Sequence, residues 1–153
     1  MTSPGLGRFF ERHRKVGLDT SVFLYHVEAN PRYVELAHSV FTWVEGPTGS
    51  AVTSVITMLE LLVQPYRTLD RHGVGRFYAL LSTYPRLEWM GVTLEIADRA
   101  ARLRAKHNLR TPDALQAATA IACGATGFIS NDFAFRRVRD LDVVLLDDLL
   151  KGR

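Results

Sequence analysis

Val16-Gly17-Leu18-Asp19-Thr20-Ser21-Val22 sets the architecture of this chain. It opens as a short apolar run and meets an acid at Asp19. So short and so apolar a strand belongs inside a sheet covered on both faces. Similar runs follow at wide intervals. Ala51-Val52-Thr53, Leu87-Glu88-Trp89-Met90, Thr126-Gly127-Phe128-Ile129-Ser130 and Val143-Val144-Leu145-Leu146 read as strands two to five. Helical stretches separate them. Asn30-Pro31 opens one, in which Tyr33, Leu36, Ala37, Val40, Phe41 and Val44 recur at helical spacing until Gly46-Pro47. Others run from Ser54 to about Gln64 before Pro65, within Gly73 to Tyr84, and from a Thr93 cap to about His107. Thr111-Pro112-Asp113 opens a last one, rich in alanine, that ends at Gly124. Strands joined through helices of this length need crossover connections, which gives an α/β fold with a mostly parallel sheet. Small alanine side chains let the last helix lie close against that sheet.

The chain has 153 residues, enough for one domain with a core that needs no staple. Its formal charge is +3, which excludes an acidic solvating tail and permits a polyanionic partner. A single cysteine, Cys123, excludes an internal disulfide and every cysteine-rich zinc framework, and it reads as a core residue. The five histidines show no pairwise metal spacing. No apolar run is long enough to span a bilayer, so the expected setting is cytoplasmic, with no membrane partner. Residues 1–15 carry Pro4, Gly5 and Gly7 and then Arg8, Arg12, His13, Arg14 and Lys15. They read as a basic extension outside the fold, leaving residues 16–150 as the domain.

Four carboxylates fall at telling places. Asp19 ends strand one, and Asp132 follows strand four after Ser130-Asn131. Asp113 lies in the first turn of the alanine-rich helix, and Glu60 lies two turns into the helix after strand two. Ligand sites in open parallel sheets form beyond the carboxyl ends of the strands, where the strand order reverses. If strands one and four are neighbours there, all four acids face one crevice. Crowded carboxylates raise one another's pKa or take up a cation. Oxygen ligands without His or Cys favour Mg²⁺ or Mn²⁺. Taken singly, each acid also has a plain structural reading. Asp113 complements a helix dipole, Asp19 opens a helix, Asn131-Asp132 makes a turn, and Glu60 faces solvent. The joint arrangement is what carries the functional reading.

That arrangement resembles the PIN-domain nucleases, in particular the VapC toxin ribonucleases of toxin–antitoxin pairs. The resemblance runs from Val16 to about Asp148. It rests on Leu18-Asp19-Thr20-Ser21-Val22, on Thr53-Ser54-Val55-Ile56-Thr57-Met58-Leu59-Glu60-Leu61, on Thr111-Pro112-Asp113-Ala114-Leu115-Gln116-Ala117-Ala118, and on Phe128-Ile129-Ser130-Asn131-Asp132. It implies a PIN domain over residues 16–150, built as a three-layer α/β/α sandwich with a five-stranded parallel sheet ordered 3-2-1-4-5. It implies Mg²⁺- or Mn²⁺-dependent endoribonuclease activity on single-stranded RNA. Asp19 and Asp113 would be the principal metal ligands, with Glu60 and Asp132 completing the catalytic set. Thr20, Ser130 and Asn131 would support the pocket. The implied partners are an RNA substrate, a VapB-like antitoxin protein and a second copy of the chain in a homodimer.

RNA approaching an acidic pocket needs flanking cations. Arg136, Arg137 and Arg139 follow Asp132 closely and are the expected RNA contacts, whereas Arg99, Arg102 and Lys106 read as a solvated helix face. Other chemistries fit less well. A phosphatase of the haloacid-dehalogenase type needs an acid where Ser21 stands, and no glycine loop of the phosphate-cradling kind is present. The alternative is a non-catalytic PIN-like domain that binds RNA or acts as a scaffold.

Overall fold

The computed structural model describes residues 3–151. The elements run α1 (Pro4–Arg12), β1 (Lys15–Leu18), α2 (Thr20–Val27), α3 (Val34–Glu45), β2 (Ser50–Ser54), α4 (Val55–Arg67) and α5 (Arg71–Thr83). They continue with β3 (Leu87–Met90), α6 (Leu94–His107), α7 (Thr111–Ala122), β4 (Gly127–Ser130), a 3₁₀ turn (Phe133–Arg137), β5 (Asp142–Leu145) and α8 (Leu146–Lys151). All strand pairs are parallel, and the order is β3-β2-β1-β4-β5. The chain leaves β1 toward one edge and returns through β4 toward the other. The reversal therefore lies between β1 and β4, where Leu18 is in register with Ile129.

The pleat sorts side chains into two cores. Val16, Leu18, Ala51 and Ile129 join a cluster with Phe9, Phe23, Phe41 and Leu62. Val52 and Phe128 join Ala114, Ala117, Ala118 and Ala120 of α7 on the other face. At Gly17 the sheet and α7 nearly touch. A Cβ there would come within 2.6 Å of both Ala120 Cβ and the Phe128 ring, so only glycine opposite alanine permits this approach. That closeness brings Asp113, at the start of α7, up to the end of β1.

Three local readings need correction. Residues 1–15 were expected outside the fold, yet residues 4–12 form a helix with Leu6 and Phe9 fully buried. The helix is tied down at its end. His13 Nε2 lies 2.6 Å from Asp142 Oδ2, His13 Nδ1 lies 2.7 Å from Thr126 Oγ1, and Arg12 also reaches Asp142. Partial burial works to raise the Asp142 pKa, but the hydrogen bonds from His13 and Arg12 outweigh it and hold the group below the usual carboxylate range. The helix expected to stop before Pro65 continues to Arg67. Proline removes one donor, but the bond from Thr68 N–H to Gln64 O closes the last turn. The helix expected at Asn30-Pro31 starts at Val34. Asn30 Oδ1 instead accepts from Arg32 N–H in a turn that feeds the helix.

Candidate active site

The end of β1 delivers Asp19 as the residue before α2, a position where an aspartate ordinarily caps the helix. Its side chain makes no cap bond to α2. It turns instead to the neighbouring strand, where its Oδ2 accepts from Ser130 Oγ at 2.8 Å and from Ser21 Oγ at 3.2 Å. Ser130 Oγ also accepts from Asp132 N–H at 2.9 Å, so one buried hydroxyl sets both acids at this edge. Asp132 keeps part of its plain role, because its Oδ1 caps the 3₁₀ turn through Ala134 N–H.

A second group of polar side chains holds Glu60. Thr20 Oγ1 donates to Glu60 Oε1 at 2.9 Å. Thr20 rests on Thr57 and on Gln116, whose Nε2 donates to Thr57 Oγ1 at 2.7 Å. Gln116 Oε1 accepts in turn from Ser54 N–H at the head of α4. Gln116 and Thr57 are buried and satisfied, and they lock α2, α4 and α7 together under the crevice. Glu60 itself is exposed at the rim, whereas Leu61 and Leu62 beside it are buried. The acid among leucines thus carries no burial cost.

Asp113 comes from the first turn of α7 and is buried. Its Oδ2 accepts from Arg110 Nε at 3.1 Å, and Arg110 Nη2 lies 3.6 Å from Asp132 Oδ2. Asp19, Glu60, Asp113 and Asp132 line one open cleft of about 390 Å³ with Thr20 and Asn131, as the sequence order suggested. Asn131 acts mainly as a brace. It donates to Tyr25 Oη and accepts from Asp147 N–H. The sequence did not single out Tyr25, Thr57, Gln116 or Arg110. The spacing carried one usable signal, since Gln116 is a polar residue three positions after Asp113 among alanines.

Of the expected RNA contacts, Arg136 ion-pairs with Asp148 and stands over the ring of Phe133, which lines the cleft. Arg137 donates to the carbonyls of His107 and Asn108 at the end of α6. Arg139 is exposed.

Burial pushes the Asp19 carboxyl up to about 6, against the pull of Ser130 and the Thr20 backbone, with Asp113 nearby adding to the rise. Burial also raises Asp113, and Arg110 partly offsets it. The folded state therefore holds protons that the unfolded chain releases at lower pH. Stability of the metal-free protein falls as pH rises from the ordinary carboxylate range through about 6, by on the order of 3 kcal/mol for Asp19. Melting in EDTA should show this fall, and Asp19→Asn should flatten it. An unchanged pH profile in that variant would place the cost elsewhere.

The donor set is all oxygen, which suits Mg²⁺ or Mn²⁺. As the side chains stand, no three His, Cys, Asp or Glu groups among the described residues close around one point. Arg110 bridges Asp113 and Asp132 there. The chemistry of the residues fits a divalent ion, which would have to share their oxygens with this arginine.

The same fold recurs in solved structures. A toxin–antitoxin complex from Klebsiella pneumoniae is 22% identical with a TM-score of 0.65, covering 86% of this chain and 97% of that one. VapC20 from Mycobacterium tuberculosis, described as a sarcin–ricin loop cleaving toxin, is 18% identical with a TM-score of 0.66, covering 84% and 98%. VapBC2 from Rickettsia felis, bound to a promoter DNA fragment, is 19% identical with a TM-score of 0.62, covering 86% and 98%. No curated protein matches the chain. The PIN domain model matches residues 16–141, from β1 to the approach of β5, and with that span and this fold the chain belongs to the PIN-domain family.

Proposed function

We propose that this protein is a divalent-metal-dependent endoribonuclease that cuts single-stranded RNA and serves as the VapC-type toxin of a toxin–antitoxin pair. The observation that carries the reading is the convergence of Asp19, Glu60, Asp113 and Asp132 on one open cleft at the strand-order reversal. Asp19 and Asp113 are the proposed principal ligands of Mg²⁺ or Mn²⁺, with Glu60 and Asp132 completing the set. When bound, such an ion acidifies water and offsets charge on the phosphate under attack. The chain's own residues do the placing. Ser130 and Ser21 aim Asp19, Thr20 steadies Glu60, and Asn131 braces the loop that carries Asp132. Arg136 beside Phe133 is the proposed phosphate contact at the cleft, with Arg139 farther along and Arg137 held against α6.

An apolar face adjoins the cleft. Val55, Leu59, Val63 and Tyr66 are all exposed along one side of α4, and Leu69 follows just beyond it. A stripe of this kind suits a protein partner, which supports a VapB-like antitoxin and a homodimer. No helix among the described residues is long and apolar enough to cross a membrane, and the proposed site of action is the cytoplasm.

Purified protein should cut a structured RNA pool with Mn²⁺ or Mg²⁺ and leave matched DNA intact. Tight RNA binding without cleavage would favour the scaffold alternative. Expression should arrest growth, and co-expression of the neighbouring gene's product should relieve the arrest. Normal growth by cells holding protein that is active in vitro would count against the toxin role.

A further inference from the structure

Among the described residues lining the acidic cleft, Arg110 is the only cation. It precedes α7 as the capping residue, but it makes no side-chain cap bond. Its guanidinium reaches across to acids on two different elements, Asp113 at 3.1 Å and Asp132 at 3.6 Å. Both contacts are made to Oδ2 atoms, the same kind of oxygen a divalent ion would take. Glu60 adds a third negative field at this position. A cation placed so lowers the repulsion among the carboxylates when no metal is present.

We propose that Arg110 is a built-in counter-ion of the cleft, which competes with the divalent metal and must swing out for the metal to enter. The inference rests on the metal-dependent reading above. Arg110 is 76% exposed while Asp113 is nearly covered, so the arginine is the partner free to move. Exposed ion pairs are weak, which makes this a reversible gate. Its other effect is to offset the negative charge of Asp113 and Asp132.

The test is calorimetric titration of Mn²⁺ into EDTA-stripped, dialysed protein. Arg110→Gln should bind Mn²⁺ roughly three- to tenfold more tightly than wild type, the change expected from releasing one or two exposed ion pairs. Arg110→Lys, which keeps the charge without the forked reach, should fall between them. Arg110→Ala provides a second neutral variant, and circular dichroism confirms that each is folded. If wild type binds Mn²⁺ and both neutral variants bind it equally or more weakly, the gating role is wrong while the metal reading stands. If neither wild type nor any variant binds Mn²⁺, the metal reading falls and the gate with it.

Discussion

Asp19→Asn should lose RNA cleavage by about two orders of magnitude or more while the metal-free protein becomes more stable at neutral pH. The two changes have opposite signs for one reason. Asp19 is held at the end of β1 by Ser130 and Ser21, in surroundings that push its carboxyl up to about 6. At neutral pH the group is ionised against that preference, and folding bears the cost. Asparagine keeps an oxygen to accept from Ser130 and carries no charge, so the gain should reach up to about 3 kcal/mol, or several degrees of melting temperature. It also removes the charged oxygen that a divalent ion would take. A purely structural aspartate gives the reverse pattern, with stability lost when its bonds are disturbed. Activity and melting point measured on the same preparation separate the two cases.

Phe9→Ala should cost about 3–5 kcal/mol, a large part of the stability a domain of this size holds. Phe9 is fully buried, and its ring lies against the start of β4, so close that a Cβ on Gly127 would come within 2.6 Å of Phe9 Cζ. Next to it, Phe10 stacks on Trp43 at 4.3 Å, and His13 and Arg12 anchor the helix end to Asp142. Removing the ring opens a cavity between α1 and the sheet that rigid neighbours cannot fill. Were residues 1–15 a loose appendage, the same substitution would shift stability by no more than about 0.5 kcal/mol. Urea unfolding followed by tryptophan fluorescence distinguishes these outcomes, with Trp43 reporting from the helix's own contact.

The sheet was legible because its strands are short, apolar and separated by amphipathic helices. The acids were legible because each sits at the junction of such elements. Helix α1 was not. Pro4, Gly5 and Gly7 lower helix propensity, and Arg8, Arg12, Arg14 and Lys15 look like one charge run along the chain. Wound into a helix, Leu6, Phe9 and Phe10 share a face at spacings of three and four, while Arg8, Glu11 and Arg12 gather on the exposed side. The partner of Arg12 and His13 is Asp142, about 130 residues away in the chain, where no local pattern reaches it. Gln116 and Thr57 escaped notice for a similar reason, since a buried polar network is a property of three packed helices. Arg110 stood in the sequence as one basic residue among several. Only the approach of β4 to α7 shows that it spans two acids.

Four acids that serve a divalent ion make RNA cleavage depend on that ion. The measurement is the rate at which EDTA-stripped wild-type protein cleaves a labelled single-stranded RNA as Mn²⁺ is added back. A rate that starts at background and rises to saturation with Mn²⁺, and stays at background for Asp19→Asn, is the predicted result. Cleavage that persists in EDTA, or that is equal in wild type and Asp19→Asn, would contradict it.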